Sequence, residues 1–294
     1  MNIIVDSFEK ATVSLGGACP LRCAHCYITT KQFHPSRKRN VEEVIDNLKQ
    51  LKEPFTVICI SGDTDCFLDP VTGLDLIKQV ATSFEKTDIM FTSRLLPGEI
   101  VVDSIIALSR EMAKSRRLLI PCVSLVTFSY PNRIENPRLV PSSEQRLHLL
   151  EQYMVGGLPC FLTLRPTFPF GLVTRGEVQR IIAEAVGKAV AVLGEAFILD
   201  LAGEIVSRLG ITPSLYEDSL SPLSFLPQSS VWKKILPSEE IEFTRTVCEE
   251  YQFPFFLRSM SGVLFLKKYW DFERAVSTYK PGDHLDRTID SVLP

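Results

Sequence analysis

The sequence lacks a long apolar run and a basic leader. Although 45% of its 294 residues are hydrophobic, no uninterrupted apolar stretch approaches the roughly 20 residues that a membrane-spanning helix needs. The first ten residues, MNIIVDSFEK, show no basic region followed by an apolar core, so we identify no targeting signal there. We therefore expect a cytosolic protein that does not insert into a membrane.

The sequence also lacks an excess of positive charge. Its 32 Lys and Arg residues are outnumbered by 35 Asp and Glu residues, which gives a formal net charge of −3. Such a balance creates no general attraction to a phosphate backbone. Aromatic residues do not alternate with the charges of its two short basic stretches, KQFHPSRKRN (31–40) and KSRR (114–117). Nucleic acid is therefore not the expected partner.

Apolar, β-branched runs alternate with segments of helical periodicity over the first 202 residues. We predict six strands, at residues 10–15, 55–61, 88–93, 119–127, 160–166 and 196–201. Helices are predicted between them, including 40–52, 142–157 and the longest, 174–194. Six βα units in succession predict an α/β fold, and a partial (β/α)6 barrel of the TIM type in preference to a doubly wound sheet.

The regular alternation stops after about residue 202. A segment rich in proline and serine forms an irregular connector, and it is followed by a predicted helix at 238–252 and a strand-like segment at 253–260. We therefore predict two regions. Residues 1–202 form the barrel core, and residues 203–294 form a C-terminal extension that covers the mouth of the barrel.

Eight cysteines without a secretion signal favour reduced thiols and metal ligation over disulfides. Cys19, Cys23 and Cys26 lie within the stretch GACPLRCAHCYI (17–28), with C-x3-C-x2-C spacing, directly after the first predicted strand. A structural zinc ion and a ferredoxin cluster each take four protein ligands. Three cysteines therefore leave one metal position open to an external ligand.

This cysteine loop resembles the signature of the radical S-adenosylmethionine (SAM) superfamily. The resemblance implies that the three cysteines bind a [4Fe–4S] cluster and that SAM chelates its open iron. It also implies reductive cleavage of SAM to a 5′-deoxyadenosyl radical, which takes hydrogen from a substrate. His25 matches the position before the third cysteine, and the backbone around Tyr27 is implied to face the adenine. A zinc knuckle with His25 or a remote cysteine as fourth ligand is the alternative, although zinc-binding cysteines usually occur as repeated C-x2-C pairs.

Further positions resemble the same superfamily. After the second predicted strand, Ser61, Gly62 and Asp63 match its Gly-Gly-Glu segment, which is implied to receive the SAM amino group. Ser replaces the first Gly and Asp replaces the Glu. Ser124 and Arg165, on the fourth and fifth strands, are implied to hold the ribose and the SAM carboxylate, for which the planar fork of an arginine is suited. Packing is the alternative role for Ser124, and an ion pair at the barrel mouth is the alternative for Arg165.

Residues 123–169 resemble the branch that contains spore photoproduct lyase and related photolyase-like proteins. The matching positions are Glu135, Pro137, Arg146, Gly157 and Pro166. The resemblance covers about residues 10–200 and implies the fold more than the substrate. Repair or modification of a nucleic acid is therefore kept as an alternative function.

Two single cysteines are candidate hydrogen donors, because a thiol has a weak S–H bond. Cys248 is preferred since it lies in the predicted extension, and Cys66 follows the second predicted strand. For each, burial in the core is the alternative interpretation. Strand periodicity places Phe161 on the same face as Arg165, inside the barrel, and turns Cys160 towards the helices.

We therefore expect a radical SAM enzyme that abstracts hydrogen from a small polar metabolite or natural-product intermediate, with epimerisation as the reaction considered first. An acidic electron donor such as flavodoxin or ferredoxin is the expected protein partner, and it would dock on the basic stretch 31–40. A solvated loop is the alternative role of that stretch. A non-catalytic, metal-bearing binding protein is the remaining alternative function.

Overall fold

A computed structural model describes residues 3–5, 10–33, 37–51, 55–60, 64–129, 131–211, 218–222, 231–235 and 238–276. Its strands, in chain order, are β1 Ile3–Val5, β2 Lys10–Val13, β3 Val57–Ile60, β4 Asp88–Ser93, β5 Leu119–Ser124, β6 Phe161–Leu164, β7 Ala191–Gly194, β8 Phe197–Leu199, β9 Asp218–Pro222, β10 Val231–Ile235 and β11 Phe255–Phe256. Its helices are α1 Val41–Lys49, α2 Pro70–Ser83, α3 Glu99–Lys114, α4 Pro131–Ile134, α5 Ser143–Val155, α6 Arg175–Ala185, α7 Glu204–Leu209, α8 Ser238–Glu250, α9 Ser259–Tyr269 and α10 Phe272–Val276.

The larger sheet has eight strands in the order β1-β2-β3-β4-β5-β6-β7-β11. β1 pairs with β2 in the antiparallel direction, and every other pair is parallel. Each strand from β2 to β6 is followed by at least one helix before the next parallel strand. The chain therefore forms a partial TIM-like barrel, which confirms the predicted α/β fold class.

Capping residues begin the helices where the sequence predicted them. Asn40 accepts a hydrogen bond from the backbone N–H of Glu43, whose side chain accepts one from the backbone N–H of Asn40. Ser142 and Gln145 form the same reciprocal capping box at the start of α5. These caps satisfy backbone donors that have no partner within the helix.

The sixth barrel strand lies at Ala191–Gly194, so the predictions of a helix to residue 194 and of this strand at 196–201 were wrong. The helix ends at Ala185, and Gly187 has a φ of 77°, a conformation that favours glycine. The apolar residues after it pair in parallel with β6. Phe197–Leu199 instead joins a smaller antiparallel sheet in the order β8-β10-β9.

Residues along the strands alternate between two apolar layers. Ile58, Leu162 and Cys160 belong to the layer that packs under the helices, as predicted for Cys160. Phe161 and Cys122 belong to the layer on the inner face of the barrel, as the periodicity predicted for Phe161. The layer under the helices is the larger of the two clusters.

Helix α9 packs against the inner face of the barrel. Val263 and Leu266 are buried there among the inward residues of the strands. Gly262 allows close approach, because a Cβ at this position would lie 3.0 Å from Cζ of Phe161 and 3.3 Å from Cδ2 of Leu193. The C-terminal region thus supplies part of the interior of the barrel.

The two ends of α9 contact opposite ends of the barrel strands. Ser259 accepts a hydrogen bond of 2.9 Å from Nη1 of Arg165, which follows β6. Lys267 lies 2.9 Å from Oδ1 of Asp88, the first residue of β4, and donates to the carbonyl of Arg116 at 2.8 Å. The helix therefore runs along the inner face from the carboxyl ends of the strands to their amino ends.

Other parts of the C-terminal region join the barrel at two places. β11 adds a seventh parallel strand beside β7, and Trp232 of the smaller sheet is buried with its ring 5.7 Å from that of Tyr27. The division at residue 202, and a covering role for residues 203–294, stay predictions. Within the part of the chain described here, every helix is too short or too polar to cross a membrane.

Candidate active site

A cavity lies at the carboxyl ends of the parallel strands, which is where the active sites of TIM barrels are built. It is bordered by the segments that follow β2, β3, β4, β6 and β7. Six of the predicted site residues line it: Cys19, Cys23, His25, Cys26, Tyr27 and Arg165. The fold therefore gathers residues from two distant parts of the sequence around one space.

The cysteine loop is held in a compact conformation. Cys23 is buried, whereas Cys19 and Cys26 are half-buried. The backbone N–H of Cys26 donates to the carbonyl of Cys23 at 3.0 Å, and that of Ala24 donates to the carbonyl of Ile134 at 2.9 Å. The second bond ties the loop to the segment after β5, so the cysteine loop is anchored to the barrel.

The three cysteines of the loop border the cavity together. Withdrawal from water raises the pKa of Cys26 to about 11 and also raises that of Cys19, so metal binding at neutral pH must displace protons. Among the described residues, no three His, Cys, Asp or Glu side chains converge on a point that would hold a single metal ion. The three cysteines supply soft sulfur ligands, the donor type that iron–sulfur clusters take, at one side of the cavity.

Arg94 connects the cysteine loop to the ends of the neighbouring strands. Its Nη1 lies 3.1 Å from Sγ of Cys23, 3.4 Å from Nε2 of His25 and 3.6 Å from Oε1 of Glu135. Its backbone N–H donates to Oδ2 of Asp65 at 2.8 Å. A guanidinium has only donors, so the sulfur of Cys23 accepts a hydrogen bond from it.

A buried ion pair lies behind Arg94. Glu135 accepts two hydrogen bonds from Arg146, at 3.0 Å on Oε1 and 2.6 Å on Oε2. Arg146 also donates to the carbonyl of Ser124 at 2.7 Å. Both charged side chains are 1% exposed. Glu135 and Arg146 therefore fix the segment after β5 against α5.

His25 is buried and neutral at this site. Its Nδ1 lies 3.3 Å from the carbonyl of Ile134, and its ring packs edge-on against Phe168 at 5.3 Å between centroids. Because a carbonyl only accepts, Nδ1 carries the proton and Nε2 accepts from Arg94. Burial, with a smaller contribution from the charge of Arg94, lowers the pKa of His25 to about 3.

Of the other residues predicted to bind the cofactor, Arg165 borders the cavity and Ser124 is buried beside Arg94. Arg165 donates from Nε to the carbonyl of Gly194 at 3.3 Å, and its guanidinium borders the cavity. Ser124 is buried, and its hydroxyl accepts a hydrogen bond from Nη2 of Arg94 at 3.4 Å. The predicted segment of Ser61, Gly62 and Asp63 lies outside the described residues.

The two candidate hydrogen donors lie in different places. Cys66 is buried, and its Sγ donates to the carbonyl of Thr92, a residue that lines the cavity, at 3.5 Å. Cys248 is buried in α8, which packs on α6, and it borders a second cavity with Phe253 and other aromatic residues. Burial raises the pKa of Cys248 to about 12 and that of Cys66 as well, so both thiols keep their protons at neutral pH.

Several polar residues of the cavity were missed from the sequence. Arg94 directly follows the predicted strand 88–93, and Asp65 lies shortly after the predicted strand 55–61. Glu195 directly follows β7. Their positions in the sequence could have identified them, because polar residues just beyond the carboxyl ends of barrel strands point to a functional site. Glu195 was hidden by the misplaced sixth strand.

Comparisons with known proteins support the fold. No family model and no curated protein matches the chain. The crystal structure of SuiB from Streptococcus suis, bound to the precursor peptide SuiA, is 14% identical with a TM-score of 0.50, and the match covers 67% of this chain and 40% of that chain. The two chains share a fold. This chain thus spans less than half the length of SuiB.

Two further solved structures match with lower TM-scores. OxsB, a cobalamin-dependent S-adenosylmethionine radical enzyme with aqua-cobalamin bound, is 15% identical with a TM-score of 0.39, over 58% of this chain and 26% of that chain. An enolase from Pseudomonas fluorescens with bound magnesium, potassium and tartrate is 12% identical with a TM-score of 0.35, over 77% of this chain and 38% of that chain.

Proposed function

We propose that the protein is a radical SAM enzyme. In this proposal Cys19, Cys23 and Cys26 bind a [4Fe–4S] cluster, and SAM binds to its open iron. The observation that carries the proposal is the cavity at the carboxyl ends of a partial TIM-like barrel, which these three cysteines border together with Arg165 and Tyr27. Soft thiolate ligands that leave one position open suit an iron–sulfur centre with an external ligand.

The bound groups would supply the reaction, and the chain would bind, orient and shield them. When bound, the cluster and SAM would provide a 5′-deoxyadenosyl radical that removes a hydrogen atom from the substrate. Arg165 would hold the SAM carboxylate through its planar fork. Tyr27 would border the adenine through its backbone, and its ring packs against Trp232 and Phe33, an aromatic cluster that helps to exclude water.

A small polar molecule is the proposed substrate class. The cavity is bordered by apolar side chains, among them Ile28 and Phe197, and by the polar side chains of Thr64, Glu195 and Arg22. The polar side chains would bind the hydroxyl, amino or carboxyl groups of a small substrate, because each buried polar group requires a partner. Epimerisation is the reaction that we propose first.

A thiol would return hydrogen to the substrate radical in an epimerisation. Cys66 is supported by its hydrogen bond to Thr92, which borders the cavity. Cys248 borders the second cavity and not the one that the three cysteines line. Its support is therefore limited to its thiol, which keeps its proton at neutral pH. In deuterated buffer, replacement of the true donor by alanine should preserve SAM cleavage and abolish deuterium uptake at the inverted carbon. Unchanged uptake in Cys66→Ala and in Cys248→Ala would contradict both assignments.

An acidic flavodoxin or ferredoxin is the proposed electron donor. The basic stretch 31–40 follows the cysteine loop in sequence, and the side chain of Arg37 is 75% exposed beside Glu43. Opposite charges speed such encounters, and salt screens them. We expect Arg37→Glu to slow reduction by an acidic donor and to leave reduction by dithionite unchanged. Equal slowing with both reductants would contradict a docking role.

Anaerobic reconstitution tests the central proposal. The full chain should bind about four iron and about four sulfide per molecule, and reduced protein should convert SAM to 5′-deoxyadenosine. Cys26→Ala should lose both properties. Cys160→Ala is the matched control, because Cys160 is a buried cysteine in the layer under the helices, and it should keep the cluster. Binding of one zinc ion and no iron would overturn the proposal in favour of a metal-bearing binding protein.

A further inference from the structure

We propose that Arg94 is a positioning residue that raises the reduction potential of the cluster through its hydrogen bond and positive charge at the sulfur of Cys23. The inference rests on the proposed function. Its basis is the 3.1 Å distance between Nη1 of Arg94 and Sγ of Cys23, two residues that are 71 positions apart in the sequence.

Arg94 is held in place from several directions. Its backbone N–H is bonded to Asp65, and its Nη2 donates to the hydroxyl of Ser124 at 3.4 Å. Its Nη1 lies near Nε2 of His25, and the side chain is only 18% exposed. The guanidinium therefore stays beside the sulfur, which a solvated arginine on a loop would not do.

The carboxylates of the part of the chain that the structure describes only partly neutralise the positive charge beside the sulfur. Glu135, the nearest carboxylate to the guanidinium among the described residues, already forms two short hydrogen bonds with Arg146, and its 3.6 Å contact with Arg94 is longer. Two guanidinium groups thus share one carboxylate. The carboxylate of Asp65 is bonded to the backbone of Arg94 and to the hydroxyl of Ser93. His25 adds no charge.

A cation and an N–H donor at a cluster ligand stabilise the reduced form more than the oxidised form. Reduction adds one electron and no atom, so the cluster and its thiolates become more negative by one charge. Hydrogen bonds to the sulfurs and nearby charge set the potential of iron–sulfur clusters. Arg94 therefore makes one-electron reduction of the cluster by an external donor easier.

The test is the midpoint potential of the cluster in the full-length, reconstituted protein without SAM. It would be measured by a dithionite titration followed by electron paramagnetic resonance. In Arg94→Met, which removes donor and charge, we expect the ratio of reduced to oxidised cluster at a fixed ambient potential to fall about tenfold, equal to about 59 mV for one electron. Arg94→Gln, which keeps a donor without charge, should lie between Arg94→Met and the wild type.

Matched variants separate the possible outcomes. Arg245→Gln removes an arginine that pairs with Glu242 on the surface of α8, and it should leave the potential unchanged. A loaded Arg94→Met protein with the wild-type potential overturns the role of Arg94 but leaves the proposed function intact. Failure of the wild type to bind a cluster overturns both. If Arg94→Met does not bind the cluster, the potential of Arg94→Gln decides whether Arg94 tunes the cluster. If Arg94→Gln also fails to bind the cluster, the role of Arg94 is structural.

Discussion

At the scale of single residues, the candidate site depends on charges that are buried behind it. Glu135 and Arg146 are both nearly inaccessible and meet through two hydrogen bonds. Removing water from such a pair is costly, and its net contribution to stability is often small. Removing one partner is different, because the other charge then stays buried without compensation.

We expect Glu135→Gln to destabilise the protein by about 3 to 5 kcal/mol. The measurement is the free energy of unfolding in urea. Glu151→Gln is the control on the same helix as Arg146, because Glu151 pairs with His148 in solvent, and it should cost less than about 1 kcal/mol. Equal losses in the two variants would show that burial of the Glu135 pair has no special energetic role.

Glu177 gives a second prediction at this scale. Its Oε1 accepts hydrogen bonds from the hydroxyl of Thr127 at 2.5 Å and from the backbone N–H groups of Phe128 and Ser129 at 2.6 and 2.8 Å. Because the backbone N–H groups of Phe128 and Ser129 lose this acceptor in Glu177→Ala, we expect a loss of about 1 to 3 kcal/mol in unfolding free energy. Glu184→Ala, on the exposed side of the same helix, should change it little, and a comparable loss there would contradict the prediction.

The sequence predicts the members of the site better than their contacts. Three cysteines within eight residues must lie near one another, so their common cavity follows from spacing. The contact between Arg94 and Cys23 depends instead on the pairing of β2 with β3 and of β3 with β4. Such contacts between segments distant in sequence carry no local signature, and Arg94 therefore became apparent only in the structure.

At the scale of secondary-structure elements, α9 is the least expected part of the fold. The sequence 259–269 is apolar enough for a buried helix, but nothing in its pattern shows that it packs against the inner face of the barrel. The misplaced sixth strand has a related cause. A short apolar run is compatible with a helix or a strand, and its parallel partner β6 decides between them.

Gly262 tests the close packing of α9. Alanine usually stabilises a helix relative to glycine by up to about 1 kcal/mol. At Gly262, however, the new methyl group would meet Phe161 and Leu193, both fully buried, at 3.0 to 3.3 Å. We expect Gly262→Ala to lower the thermal midpoint, because overpacking of a core costs about 1 to 3 kcal/mol.

Gly176→Ala is the control for this prediction. A Cβ at Gly176, in the first turn of α6, would meet no atom within 4 Å. This variant should leave the thermal midpoint unchanged or raise it. A higher midpoint for Gly262→Ala as well would show that the neighbours of α9 can move aside.

At the scale of the whole molecule, α7 couples the cysteine loop to the C-terminal region. Arg208 donates from Nη2 to the carbonyl of Cys26 at 3.2 Å and also bonds to the hydroxyl of Thr29. The backbone N–H of Lys31 donates to Glu204 at 3.1 Å. Order imposed on the loop should therefore extend to α7.

We expect cluster loading to slow amide hydrogen exchange in residues 19–33 and in 204–209 together, because the hydrogen bonds of Arg208 and Glu204 join the two segments. Mass spectrometry of peptides from loaded and unloaded protein measures this. The turn at 115–118, at the amino ends of the strands, is the internal control and should not change. Protection confined to 19–33 would contradict the coupling. Arg208→Ala, which keeps the bond between Lys31 and Glu204, should weaken the protection of 204–209.

The position of α9 in the chain has a consequence for synthesis in the cell. The helix that fills the interior is translated after all six βα units, and β11, which extends the sheet, also comes late. A nascent chain that has completed only the six units therefore exposes the apolar inner face on the ribosome. Chaperones that bind exposed apolar surfaces would be needed most during this interval. A premature stop codon before residue 259 would yield a product prone to aggregation and degradation.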